Sequence, residues 1–147
     1  VITSLELDPH EMEIKNLHLQ AKFKEMEKNE VRYETHLCED AEYLIVAFGS
    51  AARISMKAME IARKQGLKVG LFRPISLWPF PYNEIKEISR HCKGVLTVEI
   101  NAGQMVFDVR AAVGNGIPVE HFGRLGGIVP DPDEIIQAMR KSIVSES

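Results

Sequence analysis

Two hydrophobic patterns alternate along the chain: short unbroken apolar runs, and stretches in which apolar positions recur every three or four residues. The clearest pairing is Tyr43-Leu44-Ile45-Val46-Ala47-Phe48 followed at once by Gly49-Ser50-Ala51-Ala52-Arg53. A continuous apolar run closed by a turn signal predicts a strand buried on both faces. Gly49 can take backbone angles closed to other residues, and Ser50 is placed to cap the helix that follows. That helix repeats Ile54, Ala58, Ile61 and Ala62 on one face and ends at Lys64-Gln65-Gly66, with Gly66 as its left-handed cap. Residues 67–72 form the next strand, which Arg73 and Pro74 stop. Pro81 opens a helix carrying Ile85 and Ile88, and Gly94 caps it. Residues 95–98 are a further strand. A helix with Val106, Val109, Ala112 and Val113 inward then runs to Asn115-Gly116, and residues 118–122 are the last strand. Asp131-Pro132-Asp133-Glu134 supplies a cap, a proline and a glutamate for a final helix that buries Ile135, Ile136, Met139 and Ile143. The tail Ser145-Glu146-Ser147 is expected to fray.

Upstream of the central strand the pattern is more polar. Asp8-Pro9-His10-Glu11 reads as a capping box with proline in the first turn. The helix runs to about residue 28. Met12, Leu19, Phe23 and Met26 lie on one stripe, widened by Ile14, Leu17 and Ala21. Such a helix either packs on the domain or reaches a neighbouring one. Residues 31–37 alternate Val31, Tyr33, Thr35 and Leu37 against Arg32, Glu34 and His36, the period of a half-exposed strand. Cys38-Glu39-Asp40 is too short for a parallel crossover, so this strand is expected to run antiparallel, at an edge. The later strands are joined by helices, and right-handed crossovers in both directions put helices on both faces of the sheet. The expected fold class is therefore α/β, a three-layer α/β/α sandwich around a five-stranded mixed sheet.

Composition narrows the function classes. At 147 residues one domain with an appendage is expected, and a net charge of -3 offers no basic footprint for nucleic acid or anionic membrane. No apolar stretch approaches the ~18–20 residues that span a bilayer. Two cysteines, Cys38 and Cys92, stand far apart and form no CxxC pair, and the five histidines show no metal-ligand spacing. Nothing here conflicts with a reducing cytoplasm. The chain opens on Val1, not Met, and reads as a portion of a longer polypeptide, with residues 1–30 a linker helix from an upstream domain and residues 31–147 the domain proper.

Ligands and partners of open parallel sheets meet at the carboxyl ends of the strands. Three segments there are polar or glycine-rich: Gly49-Ser50 with Arg53; Glu99 with Asn101, Gly103 and Gln104; and Gly123-Arg124 with Gly126-Gly127. Free N–H groups at helix starts favour anions. However, neither GxGxxG nor GxxxxGK[ST] spacing is present, so these glycines serve turns as readily as phosphates. Glu99 reads either as a general base or as a structural carboxylate that caps a helix or pairs with Arg53, Arg73 or Arg124. The stiff loop Ile75-Ser76-Leu77-Trp78-Pro79-Phe80-Pro81 either offers a surface to a partner or folds Trp78 and Phe80 back over the sheet. No catalytic set and no metal cluster can be assembled from these residues.

Long segments carry a more specific signal. HLQAKFKEMEKNEVRYETHLCEDAEYLIVAFGSAAR, GLKVGLFRPISLWPFP, VEINAGQMVFDVR and GRLGGIVPDPDEI closely resemble the C-terminal part of the alpha-type subunit of 2-oxoacid:ferredoxin oxidoreductases, over nearly the whole chain. KNEVRYE and NAGQM look most like the 2-oxoisovalerate (ketoisovalerate) enzyme, with the 2-oxoglutarate enzyme as runner-up. The resemblance implies a transketolase C-terminal-like domain with sheet order 1-3-2-4-5 and strand 1 antiparallel. It implies an oxidative decarboxylation on thiamine diphosphate and magnesium, with coenzyme A taking the acyl group and iron–sulfur clusters passing electrons to ferredoxin. It further implies that this portion holds none of these groups. The cofactor belongs to an upstream domain and a beta subunit, the clusters to other subunits, and this portion braces their interfaces. Gly49, Ser50, Arg53, Arg73, Trp78, Glu99, Asn101, Gly103, Gln104 and Arg124 are the candidate crevice and interface residues. A free-standing flavodoxin-like ligand-binding module and a transketolase-like dehydrogenase domain coupled to lipoyl chemistry are the alternatives.

Overall fold

The structure, a computed structural model, describes residues 7–144. Its elements are α1 (Pro9–Asn29), β1 (Tyr33–His36), β2 (Tyr43–Ala47), α2 (Gly49–Lys64), β3 (Val69–Pro74), α3 (Tyr82–Ser89), β4 (Gly94–Glu99), α4 (Met105–Val113), β5 (Val119–Gly123) and α5 (Pro132–Ser142). The expected tail lies outside the described residues.

The strands form one sheet in the order β1-β3-β2-β4-β5. β1 runs antiparallel to β3, and the remaining pairs are parallel. β2 sits at the centre and every one of its residues is buried, as its unbroken apolar run requires. Period-two alternation divides those residues between two cores. Ile45 and Ala47 join Ala58, Ala62, Ile135 and Met139 under α2 and α5. Leu44 and Val46 join Ile85, Val106 and Val109 under α3 and α4. Helices thus cover both faces, as the crossovers demand.

The element ends teach more than the centres. At the start of α5 the Asp131 carboxylate accepts from Asp133 N–H while Glu134 accepts from Asp131 N–H, a complete capping box. All four of the expected inward residues of that segment are buried. At the start of α1 the cap is one-sided. Asp8 accepts from the N–H of His10 and Glu11, with no return bond from Glu11 among the described residues. No residue of α1 is buried, and Ile14 and Leu17 stand 60% and 64% exposed, so the apolar stripe is not closed by these residues. Only Met12 and Met26 are half-buried, and Phe23 meets Trp78 edge-on at 5.5 Å.

Four boundaries differ from the pattern's expectation. β1 buries none of its residues: Tyr33 lies stacked on Phe72 at 5.0 Å but stays exposed, because an edge strand has a neighbour on one side only. Leu37 is outside the strand, in a left-handed turn at φ 53. β3 continues through Arg73 and Pro74, since β1 pairs with both and Arg73 reaches Glu34 at 2.9 Å. Gly94 is a buried strand residue and not a helix cap; a Cβ there would stand 2.9 Å from Ile143, so its absence lets the chain after α5 close on the sheet. Lastly, α4 is ended by Gly114 at φ 71, just ahead of Asn115-Gly116.

Candidate functional site

β2 and β4 are neighbours, so the loops leaving their carboxyl ends lie side by side. β4 ends in Glu99, whose side chain is wholly buried. Its Oε2 accepts from the N–H of Gln104 and Met105 at 3.1 and 2.9 Å, and its Oε1 from Val106 N–H at 3.1 Å. A carboxylate removed from water needs such donors. Here they are the open N–H groups at the start of α4, where the helix dipole favours negative charge. Asn101 Oδ1 accepts from Gly103 N–H at 2.7 Å, and Gly103 takes φ +104, which turns the chain back onto the carboxylate.

β5 adds a residue that spacing along the chain did not connect to Glu99. His121 lies opposite Thr97 in the β4–β5 register. Its Nδ1 is 3.4 Å from Glu99 Oε1 and 3.2 Å from Thr97 Oγ1. Thr97 Oγ1 donates to the Glu120 carbonyl at 3.1 Å, so the ring proton that completes this network sits on His121 Nδ1. Nε2 is buried without a partner among the described residues, packed between Gly103 and Gly123. Gly123 is obligatory: a Cβ there would overlap the Asn101 carbonyl oxygen and stand 2.6 Å from His121 Nε2.

Both carboxylate oxygens of Glu99 accept from N–H groups at the start of α4, and Oε1 also faces His121, the geometry of a carboxylate that closes a helix end. The expected arginine partners go elsewhere. Arg53 is exposed on α2, Arg73 pairs with Glu34, and Arg124 reaches Glu134 at 3.4 Å. Only the backbone N–H of Arg124 touches this corner, donating to the Glu99 carbonyl at 3.2 Å.

The start of α2 is different. The helix begins two residues earlier than a Ser50 cap requires. Gly49 is its first residue at φ +56, and Phe48 occupies the cap position with no side-chain hydrogen bond. Ser50 therefore lies inside the first turn and does not cap. This end borders a hollow of about 200 Å³ lined by Phe48, Gly49, Ser50, Ala51, Ile100 and Asn101. Phe48 also walls a second hollow of about 210 Å³ that reaches Glu99 and Gln104. That one shares Leu77, Phe80 and Asp108 with a third of about 750 Å³, bounded by the end of α1, the 75–81 loop and the start of α3. The second and third adjoin as a groove along the carboxyl rim, and the first meets the second only at Phe48. In the 75–81 loop Phe80 is buried against the sheet, while Trp78 does not fold back with it and remains 52% exposed. Tyr82 donates its hydroxyl to Asp108, and that bond, with burial, raises the phenol pKa to about 12.

The cysteines take no part in the groove. Cys38 and Cys92 are buried in the core under α3, and burial raises both thiols to about 11, which keeps them protonated and unreactive. Among the described residues no group of three or more His, Cys, Asp and Glu side chains is placed to hold a metal, and no helix is long and apolar enough to cross a membrane.

A mixed sheet with one antiparallel edge, helices on both faces and an open carboxyl rim defines a transketolase C-terminal-like domain. The fold matches a split-gene transketolase in its inactive β4 tetramer, with a TM-score of 0.62 and 18% identity over 75% of this chain and 41% of that one. Residues 41–135 match the family model of pyruvate:ferredoxin oxidoreductase core domain II, and the chain belongs to that family. The ketoisovalerate oxidoreductase subunits VorB of Methanothermobacter thermautotrophicus and M. marburgensis are 40% and 41% identical, over 96% and 100% of this chain. The chain spans only 40% and 41% of those relatives' length. The 2-oxoglutarate synthase subunit KorA of M. marburgensis is 33% identical over 67% of this chain and 26% of that protein. The 2-oxoglutarate:ferredoxin oxidoreductase of Magnetococcus marinus, solved with 2-oxoglutarate, coenzyme A and succinyl-CoA bound, superposes with a TM-score of 0.79 at 25% identity, over 94% of this chain and 24% of that one.

Proposed function

We propose that the chain is the core-domain-II portion of a subunit of a 2-oxoacid:ferredoxin oxidoreductase, that the oxoacid is 2-oxoisovalerate, and that this portion supports the active centre without containing it. The observation that carries the reading is 40–41% identity to two ketoisovalerate oxidoreductase subunits over 96% and 100% of this chain, against 33% over 67% of the chain for a 2-oxoglutarate synthase subunit. In this reading the enzyme converts the oxoacid and coenzyme A to acyl-CoA and carbon dioxide, with two electrons leaving for ferredoxin. The working compartment is the cytoplasm.

The residues do not fit the cofactors of that reaction. An iron–sulfur cluster takes four thiolates, and two buried, protonated cysteines cannot supply them. Diphosphate bound through magnesium needs oxygen ligands grouped around the ion, and no such group exists among the described residues. The α4 terminus, a natural phosphate seat, is filled by Glu99. Thiamine diphosphate, magnesium and the clusters therefore belong to a beta subunit, to cluster-bearing subunits and to other parts of this polypeptide. α1 (Pro9–Asn29) acts as the linker helix and the segment from β1 to α5 as the domain. Gly49, Ser50, Arg53, Trp78 and Asn101 are the side of the rim offered to neighbours.

The test is a screen of the assembled enzyme for coenzyme-A-dependent ferredoxin reduction with 2-oxoisovalerate, 2-oxoglutarate and pyruvate. The highest kcat/KM is expected with 2-oxoisovalerate. A preference for 2-oxoglutarate overturns the substrate, and no turnover of any oxoacid overturns the function.

A further inference from the structure

The widest part of the rim groove has a chemistry that bracing the fold does not require. Among the residues that line it are the apolar Leu77, Pro79 and Phe80, with Trp78, which is 52% exposed, beside them. Three carboxylates from three elements border it: Glu27 at the end of α1, Glu84 in the first turn of α3 and Asp108 in α4. Glu84 and Asp108 are half-buried. None of the three has a basic partner among the described residues. Glu27 and Glu84 make no side-chain bond there, Asp108 accepts only from Tyr82, and the one lysine of the wall, Lys28, is paired with Glu25 at 3.1 Å. Three carboxylates on one groove with no basic side chain to meet them make its border acidic in the free domain.

We propose that this groove seats an extended segment of a partner subunit carrying an arginine or lysine next to an apolar side chain, with the cation between Trp78 and the three carboxylates. A guanidinium or ammonium over an indole face and beside carboxylates gains cation–π attraction and charge-assisted hydrogen bonds together. The apolar neighbour has its own place where the adjoining hollow of about 210 Å³ shares Leu77 and Phe80 with the groove. A lone small cation would leave the apolar lining and most of a volume near 750 Å³ wet, whereas a peptide segment covers both. That the segment comes from a partner subunit rests on the proposed function; the preference for positive charge rests on the groove alone.

The experiment uses the assembled enzyme. Benzoylphenylalanine replacing Trp78 is photo-crosslinked in the purified complex, and the captured peptide is sequenced. The expected product is a partner-subunit segment with Arg or Lys within a few residues of the crosslink. Alongside it, subunit dissociation on dilution is measured for two variants. Glu84→Gln with Asp108→Asn, which keeps an acceptor for Tyr82, is expected to weaken association about tenfold, and Glu27→Lys with Glu84→Lys about a hundredfold. The effect of both should shrink as salt rises. Glu27 lies on a helix that buries nothing, so Glu27→Lys alone reports on docking even where the double variant folds poorly. A captured segment without a basic residue, a crosslink to a second copy of this chain, or unchanged dissociation of both double variants overturns the proposal. A basic segment captured in a complex that turns over no oxoacid leaves the groove standing and removes only the functional reading.

Discussion

Two helices start at the same level of this fold, side by side at the carboxyl ends of adjacent strands, and their N-termini have opposite fates. The start of α4 is filled by the chain itself: Glu99 brings a buried carboxylate to three N–H groups, and His121 stands against it. The start of α2 is bare, with Phe48 at the cap position and no side-chain acceptor. The fold supplies both ends with the same dipole and the same free donors. What separates them is whether the preceding strand ends in an acidic side chain. The α4 side is closed by the chain's own side chains, and the α2 side carries no side-chain cap.

That contrast can be broken most severely at Glu99. Glu99→Ala removes a charge-assisted acceptor from three donors and leaves a cavity beside His121, and should cost about 3–5 kcal/mol in urea unfolding of the folded chain. Retained stability would mean that water or another residue already satisfies that helix end. Gly123→Ala tests the same corner from β5, because the added methyl must displace the Asn101 carbonyl or the imidazole; about 2 kcal/mol is expected. On the bare side the penalties should be smaller. Gly49→Ala meets open space but keeps a left-handed φ of +56, for a loss of about 1 kcal/mol. Ser50→Ala is the finest discriminator: a capping serine would cost about 1 kcal/mol, whereas a serine that caps nothing should change stability by less than about 0.5 kcal/mol. A drop in turnover of the assembled enzyme with Ser50→Ala, at unchanged stability, would show that the open end is used from outside.

The fold was legible because its signals are local. β2 announces itself as an apolar run too long to alternate, and α5 carries its capping box and inward residues in one short stretch. The antiparallel edge follows from the shortness of the 38–40 connection, which no parallel crossover can use. Glu99 was legible as a strand-end carboxylate but not in its role. His121, Thr97 and Gly123 join it only through the parallel register of β5 on β4, which no periodicity encodes. Ser50 misled because capping chemistry is a property of one exact position, and the chain entered the helix two residues early. The 31–37 alternation marked the antiparallel edge strand that is found, but period two shows a strand's faces without saying that anything will cover them.

The sequence by itself determined the layers: which segments become strands, which become helices, and that helices must lie on both faces of the sheet. Burial of apolar side chains at fixed periods is a local cause and needs no knowledge of neighbours. Only the tertiary structure decided which helix start is closed and which is open, and it also gathered Glu27, Glu84 and Asp108 around Trp78. Those outcomes depend on distances between residues far apart in the chain, and such distances are set by strand register and helix packing.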